Sequence, residues 1–152
     1  MADAYITALT MLSRRELSEA QVRTRLTRKE FAADEIDAAV TRLLADRTLN
    51  DRRVALAAAR MESVIRHRGR SRVIQKLRTL GIASEVAESA VNEVFEEVDE
   101  GALLDRAFER RLRGQLPKDL DEKARARIIR GLAGQGFSID AILKRLKGSP
   151  DR

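Results

Sequence analysis

Apolar residues fall at one set of spacings three times along this chain. Leu26 is followed by Phe31, Ile36 and Val40; the register returns as Leu77, Ile82, Ala87 and Val91, and again as Leu132, Phe137, Ile142 and Leu146. A β-branched residue stands four positions before each leucine: Val22, Val73 and Ile128. The copies are offset by 51 and then 55 residues. One supersecondary unit repeated in this way implies a stack of units, each buried mainly against its neighbours. Such stacks present long surfaces to partners more often than they enclose a catalytic pocket.

Between these anchors polar positions recur with a helical period, strand signals are absent, and the only prolines are Pro117 and Pro150. The pattern predicts a helix over about Ala4 to Arg14, with Tyr5, Leu9 and Leu12 on one face. Ser18 opens a second, where Gln21 completes a capping box. Asp34, with Glu35 and Asp37 behind it, supplies the acceptor and negative charge that favour a third helix start. Asn50 begins the second unit, and its first helix is expected to bury Val54, Ala58, Met61 and Ile65.

Gly69 then breaks the chain before a short helix carrying Val73 and Leu77, and Gly81 fits the positive-φ position past its end. Ser84 and Glu85 start an acidic helix with Val86, Ala87, Ala90, Val91 and Val94 inward. The third unit opens near Asp99, with Leu104, Phe108 and Leu112 in line. After a loop from Gly114 to Leu120, a helix from Asp121 carries Ile128 and Leu132; Gly136 stops it and Ser138 caps the last. The expected fold is all-α: an elongated tandem array of three three-helix, helix-turn-helix-like repeats over residues 4–48, 49–98 and 99–147, with no sheet. Residues 148–152 are expected to form a disordered tail.

Charge sharpens this picture. The net charge is +6, unevenly spread. Residues 1–50 hold eight bases and eight acids; 51–82 hold nine bases and two acids; 83–105 hold eight acids and no base; 106–152 hold thirteen bases and six acids. Two basic blocks flank an acidic one, which points to a polyanion or an acidic protein surface as partner. The chain has no cysteine, which excludes disulfides and thiolate metal sites. With no leader-like or membrane-spanning apolar stretch, a cytoplasmic protein is expected, with no membrane partner.

Nothing in the sequence converges for catalysis. His67, the only histidine, sits between Arg66 and Arg68 and reads as a solvated loop residue. The acids Glu93, Glu96, Glu97, Asp99 and Glu100 lie on a continuous helical run, which spreads charge around a cylinder and does not build a metal site. The string GLAGQG, Gly131 to Gly136, lacks the glycine order and preceding strand of a dinucleotide loop. Phe31, Phe108 and Phe137 fall on core positions, Phe95 reads as packed, and no exposed aromatic platform for stacked bases is in view. No catalytic residue, metal or cofactor is expected.

Basic clusters remain. Arg66 to Arg78 reads RHRGRSRVIQKLR, seven basic side chains with His67 included and no acid. Candidate contacts to a filament or DNA in this block are Arg52, Arg53, Arg60, Arg66, Arg68, Arg70, Arg72, Lys76 and Arg78. A second set, Arg110, Arg111, Arg113, Arg125, Arg127 and Arg130, lies at the equivalent part of the third unit. Arginine at such places pairs bidentately with phosphates or carboxylates.

Four stretches carry a family likeness: SRRELSEAQVRTRL (Ser13 to Leu26), Asn50-Asp51, GRSRVIQKLRTLGI (from Gly69) and LAGQGFSIDAI (from Leu132). Together they resemble the RecX family of recombinase regulators, over about Tyr5 to Lys147. Val54 stands where relatives often carry an aromatic, and Arg70 follows Gly69 where many carry proline. The tandem array is expected to be a monomer, and the resemblance implies a non-enzymatic regulator of recombination and DNA repair. It would bind the RecA recombinase and RecA–single-stranded DNA filaments, mainly inhibiting ATPase, strand exchange and filament growth; the two basic blocks, for their part, predict weak non-specific binding to single-stranded and duplex DNA. The alternative is a sequence-specific or architectural DNA-binding protein with helix-turn-helix-like units.

Overall fold

A computed structural model describes residues 3–148. Among the described residues there are nine α-helices and no strand: α1 Ala4–Arg14, α2 Glu19–Arg28, α3 Ala33–Ala45, α4 Asp51–Arg60, α5 Arg70–Thr79, α6 Ser84–Glu97, α7 Glu100–Leu112, α8 Glu122–Gly134 and α9 Ile139–Lys147. A π-helical turn, Met61–Ile65, continues α4, and a 3-10 turn, Pro117–Asp119, precedes α8. No described helix is long and apolar enough to cross a membrane. Residues 149–152 of the expected tail lie outside the described residues.

The all-α repeat pattern is present, and its anchors are buried as the spacing requires. Val22, Leu26, Val73, Leu77, Leu132, Val40, Val91 and Ile142 are wholly enclosed, and Phe31 is half-buried. Removing one such leucine side chain costs about 2–5 kcal/mol. Each α2-type helix ends in the same Schellman turn. Phe31 N donates to Leu26 O (3.3 Å), Ile82 N to Leu77 O (3.2 Å) and Phe137 N to Leu132 O (3.3 Å). The residue before each donor has positive φ: Glu30 at 68°, Gly81 at 79° and Gly136 at 103°. Only the last two are glycine, and packing explains why.

The chain divides into two compact units. The first, residues 1–58 with 76–90, holds a core of Leu17, Val22, Leu26, Val40, Leu43 and Leu49 under α1–α3. Within it, the start of α2 is gripped by later segments of the chain. Ser18 Oγ donates to Leu80 O, Glu19 N donates to Asp51 Oδ1 (2.8 Å), and Gly81 lies so close to Ala20 that a Cβ would collide. The second unit, residues 59–75 with 91–152, holds a core of Leu104, Phe108, Ile128, Leu132, Phe137 and Ile142. It repeats the grip at the equivalent positions. Gly69 N donates to Gln135 O (2.8 Å), Arg70 N donates to Glu100 Oε1 (3.2 Å), and Gly136 presses on Gly69 and Arg72. Ser71 Oγ adds a bond to Gly136 O (3.0 Å).

Most caps stand where the sequence places them: Asn50 Oδ1 accepts from Arg53 N, Ser18 and Gln21 form a capping box, and Asp99, Asp121 and Ser138 cap α7, α8 and α9. Two expectations fail. Asp34 is not the cap of α3; Ala32 occupies that position, and Glu35 reaches back to its N–H at 3.4 Å. In α4 Val54 is buried as expected, but beyond it the inward stripe runs through Ala55, Ala59, Glu62 and Ser63, leaving Ala58 half-buried. Met61 and Ile65 are 49% and 64% exposed, with Val64 beside them at 47%. Small alanines admit close packing, and the carboxylate turns inward because Arg66 and Arg68 meet it there.

At the surface of the first unit, Tyr5 Oη donates to Asp46 Oδ2 (2.8 Å), and the Arg42 guanidinium lies 3.8 Å over the ring. Bonds from Thr48, then from Tyr5, hold the Asp46 carboxyl below its ordinary value; the bond to Asp46 pushes the Tyr5 phenol up.

Gly136→Ala and Gly81→Ala are each expected to destabilise by about 1–3 kcal/mol through positive φ and steric overlap. Gly134→Ala, in open space at the end of α8, should be neutral or gain up to about 1 kcal/mol. Urea unfolding of the three variants checks this ordering. Asp46, whose pKa is lowered on folding, contributes stability that is lost as pH falls through that lowered value; Tyr5, raised, contributes stability that is lost as pH climbs through its own. The difference in melting temperature between the parent and Tyr5→Phe should therefore be largest near neutral pH and shrink at both extremes.

Candidate functional site

In the first basic block much of the charge is spent inside the protein. Arg53 clamps a turn: its Nε lies 3.1 Å from Glu16 Oε2, while Nη1 and Nη2 donate to Arg47 O (3.1 Å) and Thr48 O (2.9 Å). Arg52 Nη1 donates to Ser89 Oγ (3.1 Å). Arg66 Nη1 binds Glu62 Oε1 at 3.1 Å, and Arg68 Nε sits 3.2 Å from Glu62 Oε2, although its N–H is not aligned for a hydrogen bond. Glu62 is 4% exposed, so this is a buried carboxylate neutralised by two guanidiniums. Arg70 donates to Asn92 Oδ1 and lies 5.4 Å from the centre of the Phe95 ring. Arg72 Nη1 donates to Gln75 Oε1 (2.9 Å). Arg60, Lys76 and Arg78 are exposed.

The second set is arranged differently. Arg110 and Arg111 lie on the last turn of α7, and Arg113 caps it in the left-handed region at φ 51°. With Arg127 of α8 they line a cleft of about 640 Å³, whose other walls include His67, Leu112, Leu120, Ile128 and Gln135. No carboxylate lines it. Arg111 is held in place: Nε and Nη2 donate to Gln135 Oε1 at 3.1 and 2.9 Å, and the guanidinium lies where a Cβ on Gly131 would stand. Among the described residues the side chains of Arg110, Arg113 and Arg127 have no hydrogen-bond or ion-pair partner. Of the remaining candidates, Arg125 lines a separate shallow groove beside Leu116 and Lys147, and Arg130 is exposed elsewhere on α8.

The sequence reading missed two members of this cleft. His67 is not a freely solvated loop residue. It ends the α4 extension at φ 54° with Arg68 N bonded to Glu62 O (3.0 Å), and its Nδ1 is buried without a partner. Gln135 follows Gly134 in the GLAGQG string, where only its glycines drew notice; its carbonyl takes the Gly69 N–H while its side chain orients Arg111. Among the described residues no group of three or more His, Asp or Glu converges as a metal site.

Comparison with known proteins places this architecture. A family model described as "RecX, first three-helix domain" matches residues 4–43. The regulatory protein RecX of Syntrophotalea carbinolica is 33% identical over 136 residues, covering 90% of this chain and 89% of that protein. That of Trichlorobacter lovleyi is 32% identical over 144 residues, covering 93% and 92%. The crystal structure of RecX from Lactobacillus salivarius matches with a TM-score of 0.81 at 22% identity, over 95% of this chain and 94% of that one, a likeness of fold. Sequence identity sustained over nearly the full length of such relatives makes this chain a member of the RecX family of regulatory proteins.

Proposed function

We propose that this protein regulates the RecA recombinase by binding it and its filament on single-stranded DNA, lowering ATPase, strand exchange and filament growth. The observation that carries the reading is family membership across nearly the whole length of relatives named as RecX regulatory proteins. Two surface features suit such partners. Met61, Val64 and Ile65 form an exposed apolar step beside Arg60 and Arg66, the mixed chemistry of a protein contact. Three arginines without internal partners face solvent around the cleft. In this reading the chain acts in the cytoplasm as a monomer, by occupancy and not by turnover.

Substoichiometric protein should lower the DNA-dependent ATPase and strand exchange of the cognate RecA. The variant Met61→Ser/Val64→Ser/Ile65→Ser should need about tenfold more protein for the same effect while keeping its fold, since these side chains are exposed. Unchanged RecA activity at saturating parent protein, with no complex in a binding assay, would overturn the proposal.

Affinity for bare DNA should be weak, indifferent to sequence and strongly salt-dependent. If about five phosphates of a single strand are engaged, log affinity falls against log salt with a slope of roughly −3 to −4. Titrations of a labelled oligonucleotide across low to moderate salt measure it. A marked preference for one duplex sequence would instead favour a sequence-specific DNA-binding protein.

A further inference from the structure

We infer that the cleft between the end of α7 and the face of α8 is a nucleotide-binding site, taking one nucleoside phosphate unit. Nothing in this inference depends on RecA. Its walls combine two chemistries. Arg110, Arg111, Arg113 and Arg127 supply guanidinium donors in the fork geometry that matches phosphate oxygens, and no carboxylate lining the cleft competes for them. Leu112, Leu120 and Ile128 supply an apolar floor on which a base or sugar can rest. About 640 Å³ is larger than a lone phosphate needs and lies within the range of small-ligand sites.

Organisation separates this cleft from the other basic surfaces. Arg111 is fixed in advance by two bonds to Gln135 Oε1 across Gly131, so little freedom is lost when it binds an anion. Gln135 is in turn pinned by Gly69, the residue that closes the loop bearing His67. Arg66, Arg68 and Arg70, by contrast, already have partners inside the protein. Gathering four cations with no acid among them costs self-repulsion, which an anion relieves. Phosphate with an attached base satisfies both walls; an all-acidic peptide such as polyglutamate satisfies only the first.

The shared chemistry has two sources, a free nucleotide or a unit of a nucleic-acid strand. The experiment titrates purified full-length protein, without RecA, with ATP, with a dT oligonucleotide and with polyglutamate, following backbone amide shifts and anisotropy. Arg110→Gln/Arg113→Gln/Arg127→Gln is compared with Lys123→Gln/Lys144→Gln/Lys147→Gln, which removes the same charge elsewhere. Shifts should centre on residues 110–113, 127–128 and 135. The cleft variant should bind at least about tenfold more weakly than the lysine variant. Saturation by ATP identifies a free-nucleotide site and saturation by the oligonucleotide alone a strand site; either supports the inference. Equal losses in the two variants, shifts centred elsewhere, or binding of polyglutamate as tight as that of both nucleotide ligands would overturn it. Because RecA is absent, failure here leaves the regulatory reading standing, and failure of RecA inhibition leaves this one standing.

Discussion

The structure depends on one contact made twice. The start of a second-position helix is held by the end of the next repeat's second-position helix and by the first residue of that repeat's long helix. Glu19 N is met by Asp51, and Arg70 N by Glu100; Ser18 Oγ meets Leu80 O, and Gly69 N meets Gln135 O. The chemistry is that of helix ends. The first N–H groups of a helix and its last carbonyls have no partners of their own, and a carboxylate at an N-terminus gains from the dipole. Here those orphan groups of neighbouring repeats satisfy one another. Backbones must then approach closely, which is why the turn residue is glycine at positions 81 and 136 but is Glu30 where no earlier repeat presses on it.

The same contact sets up the basic cleft. Pinning Gly69 to Gln135 fixes the loop that carries His67, and Gln135 then holds Arg111 over Gly131. A set of arginines distributed over α7 and α8 thereby gains walls and a floor. Electrostatics alone would not distinguish this set from the block between Arg66 and Arg78, which is at least as dense. What separates them is internal satisfaction: Glu62, Asn92 and Gln75 take up Arg66, Arg68, Arg70 and Arg72, whereas Arg110, Arg113 and Arg127 face solvent.

The repeated leucine register and the turn at Gly81 and Gly136 were legible because burial and positive φ restrict residue type at those positions. Caps at Ser18, Asn50, Asp99, Asp121 and Ser138 were legible for the same local reason. What the sequence hid is non-local. Ala55 and Ala59 compete poorly with Met61 and Ile65 in any hydrophobicity count, yet close packing favours the small pair. His67 and Gln135 are 68 positions apart and carry no pattern that joins them. Density of arginine is visible in a sequence; the partner of each arginine is not.

Glu62 is where the chain departs furthest from the most apolar arrangement open to it. A carboxylate is enclosed there while Met61 and Ile65, each worth about 1.5–3 kcal/mol if fully buried, remain outside. Two guanidiniums and the surrounding π-helical turn, with Arg66 N bonded to Met61 O at 3.1 Å, hold that choice in place. A buried ion group of this kind offers little net stability, since desolvation offsets most of the attraction. Its effect is orientational. By turning Glu62 inward it commits Met61, Val64 and Ile65 to the surface as a contiguous apolar step beside arginine. Local rules broken without gain in stability concentrate at functional surfaces, and that is the physical ground on which this step is proposed as the contact for a protein partner.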